Sequence, residues 1–152
     1  MRPDQMLRIS VDHGTTCWRP FTVAEDTAQR TAVYPAGRPD NSLPLYLSAA
    51  ERAALDARQI AVGLLGSQAV MIKYRPAHLP LGPILVSDHL QSHWEKLFVV
   101  NIEVDEICFV SPNQAGSDCR LLYIDADELA LFNAGEPAPC VFDWENAFVK
   151  RA

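Results

Sequence analysis

Eleven prolines fall along a chain of 152 residues. Each one fixes its own φ and removes a backbone donor, so it ends or bends any regular element it enters. A chain punctuated this often is built of short elements joined by irregular connections, not of long helices. Its length fits one domain with a real core. The apolar share of 49% and the charged share of 21% are those of an ordinary globular chain.

The stretches between prolines carry short periodic patterns. In Met6 to Asp12, Leu7, Ile9 and Val11 alternate with Arg8, Ser10 and Asp12, the period of a half-buried strand. A second extended piece is expected around Trp18 and Phe21, and a loop from Tyr34 to Pro44. Ser48-Ala49-Ala50-Glu51 is a capping box, which predicts a short helix from about Ala49 to Arg58. Residues 59–65 and 68–74 read as a hairpin around Gly66-Ser67. Ser87 is placed to cap a second helix running to about Leu97, with Val86, Leu90, Trp94 and Leu97 on one face. Phe98, Val100, Ile102 and Val104 alternate as a strand, and the apolar phase slips at Asp105-Glu106, as a bulge or tight turn would cause. Residues 120–124 form another strand, Asp125 and Glu128 cap a helix ending near Gly135, and Cys140 to Phe142 form a last apolar piece. No internal repeat, low-complexity tract or linker is evident. These elements predict an α+β fold: a single globular domain over 1–152, with a mixed or antiparallel split β-sheet flanked by short helices.

Thirteen Lys and Arg stand against nineteen Asp and Glu, a formal net charge of −6. An acidic chain with no basic run is not suited to broad nucleic-acid binding, where phosphate neutralisation supplies most of the affinity. No signal peptide and no membrane-length apolar stretch is read in the sequence, so a cytoplasmic protein is expected. The cysteines, Cys17, Cys108, Cys119 and Cys140, are scattered and read as free thiols.

Three islands carry the functional expectation. His13-Gly14-Thr15 follows a strand. Tyr46-Leu47-Ser48 leads into the capped helix. Glu106 opens Ile107-Cys108-Phe109-Val110-Ser111-Pro112-Asn113-Gln114. Together they resemble the His-Tyr-Glu class of ADP-ribosyltransferases. The resemblance implies NAD as substrate, no metal, and an unknown protein acceptor for the ADP-ribose, or water in its place. It implies that Glu106 is the catalytic carboxylate beside the ribose cation. It implies that His13, Gly14, Thr15, Tyr46 and Ser48 bind the dinucleotide, with Tyr46 stacked on the nicotinamide ring.

Other patterns point elsewhere. His89 and His93, four apart on the expected helix, have the spacing of a metal clamp. Cys17 near His13 is a potential nucleophile pair. Trp144, in Phe142-Asp143-Trp144-Glu145, fits an interaction surface. The acidic balance and small size also suit a second class of function: a non-enzymatic protein-binding module such as an inhibitor, immunity protein or adaptor.

Overall fold

A computed structural model describes residues 6–10, 18–27, 30–36, 44–65 and 68–152, without the side chains of Glu25, Leu65 and Asp105. The chain divides into two compact units, Met1–Arg75 and Pro76–Ala152. The α+β expectation is overturned: the protein is mostly β, and each unit is an antiparallel sheet that curls into a closed or nearly closed barrel.

The first unit contains β1 (Met6–Ser10), β2 (Arg19–Asp26), β3 (Thr31–Pro35), β4 (Leu45–Leu47), α1 (Ala49–Asp56), β5 (Ala61–Leu65) and β6 (Gln68–Lys73). The strand order is β4-β3-β2-β1-β6-β5. Its core gathers Leu7, Ile9, Phe21, Val33, Leu45 and Ile72, with Leu55 of α1 packed against them. β4 and β5 stand at the two ends of this order, and no ladder joins them among the described residues.

The second unit contains β7 (Pro76–Ala77), β8 (Gly82–Asp88), β9 (Trp94–Glu103), a 3-10 turn (Val104–Glu106), β10 (Ile107–Ser111), β11 (Arg120–Asp125), α2 (Ala126–Asn133), β12 (Ala138–Phe142) and β13 (Glu145–Arg151). The order β10-β9-β8-β13-β12-β11 returns to β10 through a β10–β11 ladder, so six strands form a ring. β7 lies along β11. Ile84, Val99, Val110, Leu122 and Val149 fill the barrel, and Phe132 of α2 joins them.

The two units are the same motif twice, although no repeat is evident in the sequence. Mapping β8 to β13 onto β1 to β6 gives the same cyclic strand order, with a helix between the fourth and fifth strands of each. The match holds residue by residue. Ala61 opposes Ile72 and Leu65 opposes Gln68; Ala138 opposes Val149 and Phe142 opposes Glu145, each pair 77 positions further on. Arg8 opposes Lys73 as Leu85 opposes Lys150. Both helices start with a complete capping box, Ser48 with Glu51 and Asp125 with Glu128. Both end with one left-handed residue, Arg58 (φ 61°) and Gly135 (φ 82°), and the same backbone closure: Gln59 N–H donates to Ala54 as Glu136 N–H donates to Leu131. The Lys73 ammonium lies 4.3 Å from the Trp18 ring centroid, and Lys150 lies 4.1 Å from that of Trp94. These lysine–tryptophan contacts tie the sixth strand to the second across the first. Replacing Lys150 with glutamine is expected to lower stability by about 0.5–1 kcal/mol, measured by urea denaturation.

The helix expected from Ser87 to Leu97 does not form. That segment is the end of β8, a turn and the start of β9. The helical spacing of Val86, Leu90, Trp94 and Leu97 is coincidental: Val86 and Leu97 are buried in the barrel, while Leu90 is exposed beside left-handed Gln91 (φ 55°). The strand phase of β9 also differs from the expectation. Leu97 and Val99 face the core, and the register with β10 shifts so that Asn101 opposes Phe109 while Val99 opposes Val110. The extra residue is Val100, a bulge that turns Ile102 back toward the core. Among the described residues, no helix is long and apolar enough to cross a membrane.

Candidate functional site

His13, Gly14, Thr15 and Cys17 lie outside the described residues. Tyr46 and Ser48 belong to the first unit and Glu106 to the second. Tyr46 is the middle residue of β4, whose neighbours Leu45 and Leu47 point into the core. Alternation along the strand therefore sends Tyr46 outward, and its side chain is 49% exposed. The Arg30 guanidinium lies 5.1 Å from its ring centroid. Ser48 follows as the N-cap of α1: its Oγ accepts from the Glu51 N–H at 3.2 Å, and Glu51 Oε1 accepts from the Ser48 N–H at 3.4 Å.

Tyr46 and Ser48 open onto a hollow of about 560 Å³ whose other walls include Arg30, Glu51, Val62, Gly63 and Leu64. Val62 and Leu64 are the outward residues of β5, 66% and 61% exposed. Glu51 Oε2 is buried and has no hydrogen-bond partner among the described residues. It lies 3.2 Å from where a side-chain carbon on Gly63 would sit, so the glycine gives this oxygen its room. The sequence marks Tyr46 and Ser48 but not Val62 and Leu64, which read as ordinary hairpin residues. The repeat singles them out. Tyr123 and Val141, the counterparts of Tyr46 and Leu64, are 9% and 0% exposed. Trp144 contributes to the cover over Tyr123, with ring centroids 6.1 Å apart and planes at 41°.

Glu106 has a different setting. It ends the 3-10 turn in a left-handed conformation (φ 60°). Its Oε2 lies 3.4 Å from His78 Nε2, and both side chains are about half-exposed. His78 Nδ1 is 3.0 Å from the Leu79 carbonyl, which fixes that nitrogen as the donor. The slip of apolar phase read in the sequence is this turn, together with the bulge at Val100.

The chain matches no family model, and no curated protein or solved structure matches it.

His89 and His93 sit in the β8–β9 connection, not on a helix. They border a second hollow of about 300 Å³ with Asp88, Glu95, Arg120 and Glu145. Among the described residues no three His, Cys, Asp or Glu side chains come together as a group that could hold a metal ion. Asp88 organises the connection. Its carboxylate accepts from Ser92 Oγ at 2.7 Å and from the Ser92 N–H at 3.1 Å. These bonds, the side-chain one first, hold its pKa below the ordinary aspartate value. The stabilisation is thus present above the ordinary aspartate range and is lost as pH falls through the depressed value. In the Ser92→Ala variant the Asp88 titration, followed by NMR, is expected to move up toward the ordinary value.

Proposed function

We propose that this protein is a non-enzymatic protein-binding module, and that its binding face is the Tyr46–Val62–Leu64 wall of the first unit. The contrast between the repeats carries this reading. One motif is built twice; Tyr46 and Leu64 are bare where Tyr123 and Val141 are covered, and Val62 is exposed where Pro139 is half-buried. Exposed aromatic and aliphatic groups around a concavity, rimmed by a charge such as Arg30, have the composition of an interface centre. Among the described residues of the hollow, the Ser48 hydroxyl and the Glu51 carboxylate are engaged with each other's backbone N–H in the helix cap, and the carboxylate implied for NAD chemistry, Glu106, belongs to the other unit, beside His78.

The test is photo-crosslinking. A benzophenone amino acid at position 62, exposed to extract of the source cells, is expected to give discrete adducts that disappear when Leu64→Asp is added. Diffuse or absent labelling would remove the reading. NAD turnover that Glu106→Gln abolishes would replace it with the transferase.

A further inference from the structure

The second unit carries a feature of complementary shape and charge. β12 and β13 are joined by Asp143 and Trp144, both left-handed (φ 51° and 68°). Two such residues make the tight turn that suits the twist of a hairpin, a position normally given to Asn or Gly. A tryptophan there is strained, and backbone strain in a bulky residue collects at sites of function. The repeat has Gly66-Ser67 at the matching positions, so the motif itself does not need an aromatic. Trp144 keeps 40% of its surface exposed, between the exposed carboxylates of Asp143 and Glu145.

We propose that the occupant of the first-unit hollow is this hairpin tip from a second copy of the chain, a proposal that rests on the binding-module reading and names its partner. Four observations converge on it. The hollow is walled by Tyr46, Val62 and Leu64 and, at about 560 Å³, has room for an indole. The indole N–H is a donor with no acceptor capacity, and Glu51 Oε2 is a buried acceptor without a donor among the described residues. Trp144 already packs against Tyr123, the repeat counterpart of Tyr46, so the second unit shows an indole seated beside this tyrosine position. The charges also oppose. Residues 1–75 hold nine Lys and Arg against seven Asp and Glu, a formal +2, whereas residues 76–152 hold four against twelve, a formal −8. Arg30 at the rim meets the Asp143 and Glu145 carboxylates of the tip. Charge opposition of this kind orients encounter and selects partners.

Hollow and tip are different surfaces on different units, so copies can either exchange tips reciprocally in a closed pair or add head to tail. Sedimentation velocity of the full chain, from low micromolar to several hundred micromolar in low salt, is expected to show species that grow with concentration. Leu64→Asp and Trp144→Ser are each expected to weaken association about tenfold or more. An equimolar mixture of these two variants keeps one intact hollow and one intact tip. It is expected to form a 1:1 pair and to stop there, and urea denaturation of each variant alone checks that its mutated unit is folded. A wild-type chain that stays monomeric throughout, association that neither variant weakens, or a mixture that stays monomeric would overturn the proposal. If the wild type is monomeric while crosslinks at position 62 still capture a different protein, the second copy is removed as occupant and the binding-module reading stands.

Discussion

Replacing Phe132 with alanine is expected to destabilise the second unit by about 3–5 kcal/mol, the cost of deleting a buried aromatic and leaving its cavity. Phe132 lies in the last turn of α2, is nearly fully buried and belongs to the barrel core with Leu122, Ala138 and Val149. The helix between the fourth and fifth strands is short, and this ring is its deepest anchor. Leu55, fully buried, holds the same place in α1, so Leu55→Ala is expected to cost about 2–5 kcal/mol in the first unit. Leu131, next to Phe132 and exposed, provides the contrast: Leu131→Ala should stay within about 0.5 kcal/mol of the parent. Urea denaturation gives the free energies, and amide exchange shows where protection is lost. A Phe132→Ala loss under about 1 kcal/mol would mean that α2 does not seal the barrel.

The parts of this fold that could be read in the sequence are those fixed by local chemistry. Both capping boxes were legible because a capping side chain bonds within its own four residues. The β5–β6 hairpin was legible from its two flanking runs. The segment after Ser87 misled because four apolar residues satisfy the helical period whether or not a helix forms, and the tertiary ladder of β9 on β8 prevailed over the pattern. The duplication was hidden for a related reason. Core positions kept their burial but not their identity, as in Leu55 and Phe132, Gly63 and Cys140, or Ile72 and Val149. The residues that stayed identical, such as Tyr46 and Tyr123 or Lys73 and Lys150, are too dispersed to stand out until the ladders align them. Of the candidate site, Tyr46 could be found because an aromatic before a capped helix is conspicuous. Val62 and Leu64 could not, because alternation tells which residues share a face but not whether anything covers that face. Glu106 drew attention as an acid at the head of a strand; the 3-10 turn accounts for its place there.

Cys108 gives the second large effect, and it is a dependence on pH. Its thiol is fully buried in the second barrel. Burial pushes its pKa from 9.0 to about 11; the Leu79 N–H, 3.4 Å from the sulfur, works against that rise, and the Glu106 charge adds to it. The fold therefore favours the protonated thiol. The stabilisation is complete below the ordinary thiol value, near 9, and disappears as pH rises through about 11. Two pKa units correspond to about 3 kcal/mol over that window. Tyrosines and lysines titrate in the same range, so the wild type alone does not isolate the effect, and the comparison with Cys108→Ala does. The stability advantage of wild type over that variant should be flat at neutral pH and shrink between pH 9 and pH 11. Near pH 8 the native thiolate fraction is about a hundredfold below that of the unfolded chain. Thiol reagents should accordingly modify exposed Cys119 first and reach Cys108 only on unfolding. Glu106→Gln removes one of the raising causes, so the narrowing should still begin near pH 9 but level off at a lower pH with a smaller total. If Cys108 reacts in the native protein as fast as Cys119, or if the stability gap does not change with pH, the sulfur is not sealed inside the barrel and the ring of six strands must open there.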